Sequence, residues 1–411
     1  MKNVNFFAKA VSIYCICLLS ATVTVHSATK DMTNGKWTIR FNDETRKSEF
    51  VKDGTTILQD VSVKFKHNAS IIESSSYSDI KFSEENYSDA TGECKRFIIE
   101  YKNTENSTYP TIQQCFYLYP DKDYFLTDVF LLSSGTSKIE SNYIAPIYTE
   151  TQNRFLPQDA NNRFLFVPFD NDGFITYGSL PLSRGIDPTS LGVGRYARDT
   201  ISLEVTSIFN GETQEGLVIG TVEHDTWKSA IRMTGSPLSQ AYINKLECYS
   251  GATHSITRDA TDDNWLQPHG AVKGTKIKSA RMLVGLFDDW RTGMETFGDV
   301  NALIAPKREW NNPTPFGWNS WGGIERNINF DGVIAVSDFI KENIQGKGHF
   351  GEDGLVFVGL DSFWDNLNWE QLKQFADYCK ANGQVPGIYW TPFCDWFPEN
   401  DRALEGNNGY F

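Results

Sequence analysis

Segments in which polar and apolar residues alternate follow one another from about residue 30 to residue 280. Residues 36–41, 61–65 and 96–101 are clear examples, and Asn, Asp, Gly and Ser separate such segments from their neighbours. A period of two is typical of strands with one buried and one solvated face, as in antiparallel sheets. We therefore predict a large antiparallel β-sandwich at residues 28–284, a size that one all-β domain can reach.

The alternating pattern ends near residue 285. Residues 288–304 have a helix-like pattern despite their glycines, and Pro306 ends it. A stiff, proline-containing stretch follows, up to Pro315. We predict a helical linker at residues 285–312, with the boundary to the next domain at its end.

From residue 313 onward, short apolar runs alternate with helix-like segments. The runs at 316–320, 355–360 and 385–390 are typical of buried parallel strands, and Asn368 is the predicted cap of the second intervening helix. The strands begin about 40 and then about 30 residues apart, which is the size of βαβ units. A (β/α)8 barrel takes about 250 residues. We therefore predict that residues 313–411 are the first three βα units of a TIM barrel, and we expect the chain to be a C-terminally truncated piece of a longer protein.

The first 27 residues have the pattern of a secretory signal peptide. Lys2 and Lys9 supply the positive charge, an apolar run follows at residues 10–25, and small residues then allow cleavage before Ala28. The apolar run is short for a membrane span, although an uncleaved anchor stays an alternative. We expect the mature protein to be secreted or periplasmic, with no membrane association after residues 1–27 are removed.

Charge and composition disfavour several classes of partner. The formal net charge of −14 would repel a phosphate backbone, so we expect no nucleic-acid partner. Of the seven cysteines, two lie in the signal, and the other five have no spacing typical of a zinc site. Residues 170–173 resemble half of a calcium loop but lack the Glu that would complete it. We expect neither a metal nor a cofactor.

Aromatic and polar residues follow the three predicted parallel strands, where a barrel enzyme holds its ligand. Trp318 lies in the first strand, Asp361 and Trp364 follow the second, and Tyr389 lies near the end of the third. An indole face can cover the C–H face of a sugar ring while a carboxylate accepts hydrogen bonds from its hydroxyls. This combination predicts a carbohydrate-active protein with an oligosaccharide or polysaccharide as substrate.

Three segments resemble the melibiase-type α-galactosidases. Residues 315–321 resemble the first barrel strand of that family, residues 358–364 its second, and residues 386–389 its third. A large sandwich before the barrel is similar to the bacterial branch of the same clan. The resemblance implies a retaining glycoside hydrolase, which needs two carboxyl groups about 5 Å apart. In the family these are Asp residues after the fourth and sixth strands, so both are expected beyond Phe411, and this chain alone is expected to be inactive.

The resemblance also implies roles for individual residues. Trp318 would form a wall of the sugar site, Asp361 would accept hydrogen bonds from hydroxyls, and Trp364 and Tyr389 would line the pocket. Ser362 stands where the family has a second Asp that helps to define galactose. Terminal α-linked galactose is therefore the first expectation, while an α-glucoside or an α-N-acetylgalactosaminide stays open.

Two other functions are open to a chain with a large β-sandwich. In a non-catalytic carbohydrate-binding protein the β-sandwich itself would hold the sugar. A polysaccharide lyase would need basic groups to neutralise an acidic sugar, and the acidic net charge with only six His disfavours that reading. The sequence leaves the oligomeric state open.

Overall fold

The computed structural model describes residues 29–68, 70–106, 108–156, 159–167, 178–182, 201–236, 239–251, 271–311, 315–347 and 355–390. The predicted signal peptide and the segment that resembles half a calcium loop lie outside these residues. The chain divides into two compact units, Met1–Lys307 and Arg308–Phe411.

The first unit is built almost entirely from antiparallel strands, as the alternating pattern predicts. In chain order its described strands are β1 (Thr29–Asn34), β2 (Trp37–Asn42), β3 (Lys47–Lys52), β4 (Thr55–His67), β5 (Ser70–Glu73), β6 (Asp79–Asp89), β7 (Gly92–Lys102), β8 (Thr111–Leu118), β9 (Tyr124–Leu132), β10 (Ile139–Ser141), β11 (Ile144–Thr149), β12 (Asn162–Phe166), β13 (Gly178–Pro181), β14 (Ile201–Leu203), β15 (Val205–Asn210), β16 (Gly216–Thr221), β17 (Ser229–Ser236), β18 (Ser239–Ser250), β19 (Val272–Gly274), β20 (Lys276–Lys278) and β21 (Met282–Phe287).

These strands form two large sheets. One has the order β1-β2-β3-β4-β11-β18-β17-β14, with β5 paired to β4, and the other has the order β13-β12-β15-β16-β21-β9-β8-β7-β6, with β20 paired to β9. Strands β10 and β19 make a separate small ribbon. The pairs in both large sheets are antiparallel, which confirms the predicted antiparallel architecture.

The core lies between the two large sheets. On β2, Trp37, Ile39 and Phe41 are fully buried while the residues between them are partly exposed. The Trp37 ring meets Phe125 of β9 edge to face, with 4.9 Å between the ring centroids. Such aromatic contacts between sheets add to the free energy gained by burying apolar area. The alternation read from the sequence therefore positions the buried face of each sheet.

One helix, α1 (Trp290–Ile304), packs against the second sheet. The Asp289 side chain caps its first turn by accepting a hydrogen bond from the Arg291 amide. The Trp290 ring stacks on Phe209 with 4.2 Å between centroids, and Val300 is buried. The helix predicted within a linker therefore belongs to the first unit, because its apolar side chains are buried on the sheet.

The second unit contains three parallel strands and two α-helices among its described residues. In chain order these are β22 (Phe316–Asn319), α2 (Phe330–Asn343), β23 (Val356–Leu360), α3 (Trp369–Ala381) and β24 (Val385–Ile388), with the strand order β22-β23-β24. Asn368 caps α3 in a reciprocal pair with Gln371, as predicted.

The apolar core of the second unit lies between this sheet and its helices. Val356, Val358 and Leu360 of β23 are buried in one cluster with Val333 of α2 and Phe375 of α3. The described residues therefore contain two successive βαβ connections whose strands share one helix-covered face. None of the helices in the described part of the chain is both long enough and apolar enough to cross a membrane.

Candidate functional site

Polar side chains link the carboxyl ends of β22 and β23. The Asn319 side-chain amide donates a hydrogen bond to Oδ2 of Asp361, with 2.9 Å between nitrogen and oxygen. Ser320, which is fully buried, accepts a hydrogen bond from the Asp361 amide through its Oγ at 2.8 Å. The Ser320 amide in turn donates to the Gly359 carbonyl. These bonds fix the position of the Asp361 backbone and side chain relative to the first strand.

The Asp361 carboxylate is held by neutral donors. Its Oδ1 accepts a hydrogen bond from the Ser362 amide at 2.7 Å, and its Oδ2 is bonded to Asn319. The residue is partly exposed. Within the described ranges, no ion pair to Asp361 is present. A carboxylate held by two such donors has lone pairs left for further donors.

Glycines keep the sheet face beside this carboxylate open. Gly359 and Gly387 are paired in register and therefore face the same way. At Gly317, a Cβ atom would lie only 2.4 Å from the carbonyl oxygen of Phe357, so no side chain fits there. On the face opposite the helices, the level next to the Asn319–Asp361 pair therefore carries no side chain at Gly359 and Gly387, and Phe357 lies one step further from the strand ends.

Two exposed aromatic rings lie beside the pair. The Trp321 amide donates to the Asn319 side-chain oxygen at 2.8 Å, which ties this tryptophan to the same network. The Trp321 and Phe363 rings are nearly parallel, with an angle of 8° and 6.3 Å between centroids. Their residues are 44% and 37% exposed. Large aromatic groups left open to water beside a fixed carboxylate are typical of a ligand site.

The backbone after β23 is held in an uncommon conformation. Phe363 has a φ of 70°, in the left-handed region that a bulky residue seldom adopts. The Arg326 guanidinium lies over its ring, 5.6 Å from the centroid. A strained residue of this kind persists when its surroundings hold it in place, and such residues cluster at functional sites.

Tyr389 lies at the end of the third strand, beside the second. Its amide donates to the Leu360 carbonyl, which continues the pairing of Leu360 with Ile388. This register places Tyr389 at the level of Asp361. The residue is 45% exposed, so the structure brings a third aromatic residue to the carboxyl end of the sheet.

The structure does not bring Trp318 and Trp364 to this group. Trp318 is in register with Val358, and both residues belong to the cluster on the helix-covered face. Trp318 lines one cavity together with Val336 of α2. Trp364 also packs against the same cluster. Because alternate residues of a strand point to opposite faces, Trp318 and its neighbour Asn319 cannot both reach the Asp361 side.

The residues missed by sequence reasoning are Asn319, Trp321 and Phe363. Strand alternation could have identified Asn319, because Asn319 follows Trp318 directly and neighbouring residues of a strand face opposite ways. The roles of Trp321 and Phe363 depend on the turns after β22 and β23, which local sequence does not determine. We call Asn319, Trp321, Asp361, Phe363 and Tyr389 the strand-end cluster.

The strand-end cluster offers hydrogen-bond acceptors and apolar ring faces, and it has no metal-binding character. Among the residues that the structure describes, no group of three or more His, Cys, Asp or Glu could hold a metal ion. One carboxylate, one amide and exposed rings suit a ligand that is rich in hydroxyls and has an apolar face.

Neither a family model nor a curated protein matches this chain. Among solved structures, an α-N-acetylgalactosaminidase from Bifidobacterium bifidum in complex with GalNAc is similar, with a TM-score of 0.52 and 11% sequence identity. That match covers 90% of this chain and 60% of the enzyme. A GH36 α-galactosidase from Geobacillus stearothermophilus has a TM-score of 0.49 and 10% identity, with coverage of 89% and 56%.

The similarity to the α-N-acetylgalactosaminidase concerns the fold. The chain has a fold like that of part of a glycosidase, and it spans about 60% of that enzyme's length. At 11% sequence identity this similarity shows a glycosidase-like fold and does not show the family.

Proposed function

We propose that this chain contributes the sugar-binding part of a glycoside hydrolase that removes terminal α-linked galactose or a related sugar. The single observation that carries this proposal is the Asp361 carboxylate, fixed at the strand ends by Asn319 and flanked by the exposed Trp321–Phe363 ring pair. The similar fold of the α-N-acetylgalactosaminidase supports it.

In this proposal, Asp361 accepts hydrogen bonds from two sugar hydroxyls while an aromatic face covers the C–H face of the ring. Trp321 takes the wall role that the family resemblance implies for Trp318, because Trp321 is exposed beside Asn319. Tyr389 closes the third side. The remaining lone pairs of Asp361 allow this, since its described partners are neutral donors.

The finer parts of the proposal concern the reaction. We propose a (β/α)8 barrel of which β22, β23 and β24 are the first strands, and a retaining double displacement carried out by two carboxylates beyond Phe411. In that arrangement the strand-end cluster binds the sugar but performs no covalent step. Catalysis then needs both carboxylates, so residues 1–411 alone bind sugar without hydrolysing it. The signal-like residues 1–27 make a secreted or periplasmic location part of the same proposal.

The sugar itself is proposed in order of preference. Ser362 has a short side chain where the melibiase-type family has an Asp, so fewer acceptors meet the hydroxyls that distinguish galactose. Galactose nevertheless comes first, because three segments of the chain resemble the melibiase-type α-galactosidases. GalNAc comes second, because the similar α-N-acetylgalactosaminidase was solved with GalNAc, and glucose comes third.

Saturation-transfer NMR with methyl α-galactoside, methyl α-N-acetylgalactosaminide and methyl α-glucoside tests the proposal, because it detects weak binding. We expect saturation of one of these sugars by the wild-type chain and its loss in Trp321→Ala. Trp369→Ala is the matched control, since Trp369 is 84% exposed at the start of α3, outside the strand-end cluster. Binding that survives Trp321→Ala would contradict the site and favour sugar binding by the β-sandwich.

A further inference from the structure

A single histidine bridges α1 and the sandwich of the first unit. His224 follows β16, and its Nε2 lies 2.6 Å from Oδ1 of Asn301 near the end of α1. Its Nδ1 lies 3.5 Å from Oε1 of Glu204. His224 also lines a cavity of about 530 Å³ with Ile304 and Ala305 at the end of the helix.

The orientation of the Asn301 amide is fixed by a second hydrogen bond. Its Nδ2 donates to the carbonyl oxygen of Phe297 at 2.8 Å, within the same helix. The amide oxygen therefore faces His224, and an oxygen can only accept. His224 must donate from Nε2 to make this bond.

The other ring nitrogen also faces an acceptor. A neutral histidine that donates from Nε2 has a lone pair on Nδ1, and that lone pair would point toward the Glu204 carboxylate. Only the doubly protonated imidazolium can donate to both partners. Glu204 is held in place because its own amide donates to the Ser229 carbonyl and its carbonyl accepts from the Thr221 amide.

The charged groups around the ring favour the same protonation state. Glu204 and Glu223 are both negative, while Glu223 is already paired with Lys278. Asp225 and Lys278 line the same cavity. The positive charge of Lys228 helps to lower the pKa of Glu204. The interaction between His224 and Glu204 raises the pKa of the His224 ring above its ordinary value of 6.5. The same interaction lowers the pKa of the Glu204 carboxyl below its ordinary value of 4.5.

We propose that His224 is a pH-sensitive clasp that holds the last turn of α1 on the sandwich and loosens it as the pH rises. The bridge is complete when His224 is charged and Glu204 is ionised. Its stabilisation is fully present between about pH 4.5 and pH 6.5 and is lost as the pH rises through the raised pKa of His224. Below pH 4.5 it weakens again as Glu204 takes up a proton.

Loss of the His224 bridge affects the last turn of α1, whose end lines the cavity. Phe297, Val300 and Ile304 all pack in one apolar cluster of the first unit. Because this packing does not depend on His224, we expect the response to be a local loosening of residues 301–305 and not a release of the whole helix. Local openings of this kind are governed by few contacts and are visible as faster amide exchange. The cavity wall formed by Ile304 and Ala305 would become mobile at alkaline pH.

Hydrogen exchange of the whole chain tests the clasp, with rates corrected for the intrinsic effect of pH. We expect the amides of residues 301–305 to exchange at least about threefold faster at pH 8.5 than at pH 6.0 in the wild type. His224→Gln should remove this pH dependence, and Glu204→Gln should move its midpoint to lower pH. Residues 369–381 of α3 serve as the internal control, with no such change.

An NMR titration of the His224 ring supplies a second readout that does not depend on helix opening. We expect its midpoint above pH 6.5 in the wild type and at a lower pH in Glu204→Gln. A midpoint at or below 6.5, equal protection of residues 301–305 at both pH values, or an unchanged pH dependence in His224→Gln would each overturn the proposal.

Discussion

The two units of the chain hold their key aspartates in opposite ways. In the sandwich, Asp128 is fully buried and its Oδ2 lies 2.9 Å from Arg281 Nε and 3.4 Å from Lys278 Nζ. In the second unit, Asp361 is partly exposed and accepts hydrogen bonds from the neutral Asn319 amide and a backbone amide. Asp128 is paired with two cationic side chains, and Asp361 has no cationic partner in the described part of the chain.

The difference separates a structural ion network from a candidate binding group. Asp128 belongs to a chain of ion pairs in which Arg281 also meets Asp89 and Glu223. Every charge there has an opposite partner, which burial requires. Asp361 is held by two hydrogen bonds and has no cationic partner in the described part of the chain. A carboxylate that is held in position without a cationic partner can accept hydrogen bonds from a polar ligand.

The largest effect that separates the two aspartates is on stability. Asp128→Asn leaves Arg281, which is only 12% exposed at its side chain, without its nearest counter-charge. We expect the free energy of unfolding to fall by about 3–5 kcal/mol. Urea unfolding followed by circular dichroism measures it. The exposed pair of Arg40 and Asp31 is the matched control, because Asp31→Asn should cost less than about 1 kcal/mol. Equal costs for the two variants would break the comparison.

The two tryptophans of the first parallel strand and its turn give a smaller contrast. Trp318 packs on the helix-covered core, so Trp318→Ala should destabilise the second unit by about 2–3 kcal/mol, somewhat less than a fully buried ring. Trp321 is 44% exposed, and Trp321→Ala should change stability by less than about 0.5 kcal/mol. Thermal unfolding compares them. A reversed order would return Trp318 to the site and remove Trp321 from it.

The smallest expected effect is the stability change on neutralising Asp361. Asp361→Asn keeps the shape of the side chain and one acceptor oxygen, and a partly exposed group has little charge stabilisation to lose. We expect a change in the free energy of unfolding within about 0.5 kcal/mol. A loss above about 2 kcal/mol in urea unfolding would mean that Asp361 is structural, like Asp128, and would remove the contrast.

The elements of both units follow closely from local sequence. Period-two alternation predicts β2 with its three buried aromatic and aliphatic residues, and the Asn368–Gln371 pair predicts the start of α3. These signals are local, because a strand face and a helix cap are each decided within a few residues. The sheet on which α1 packs is made of strands that are distant in sequence. The local pattern therefore predicts the helix but places it within a linker and not in the first unit.

The site was harder to predict because it depends on which way each strand faces. The position of Asp361 at the carboxyl end of β23 can be predicted from the apolar run that precedes it. The role of Trp318 depends on its register with Val358, and a shift of one residue exchanges the two faces of a strand. The exposed positions of Trp321 and Phe363 come from turns whose conformation includes a left-handed residue. Family resemblance locates the strand ends but does not orient these side chains.

The most direct test of the central claim is the activity of the complete protein on p-nitrophenyl α-galactoside and α-N-acetylgalactosaminide. If Asp361 binds the sugar, Asp361→Ala lowers kcat/KM for the preferred substrate by about 100-fold or more. Asp377→Ala, which removes an exposed carboxylate on α3, leaves kcat/KM unchanged. Equal kcat/KM for Asp361→Ala and the wild type would contradict the account.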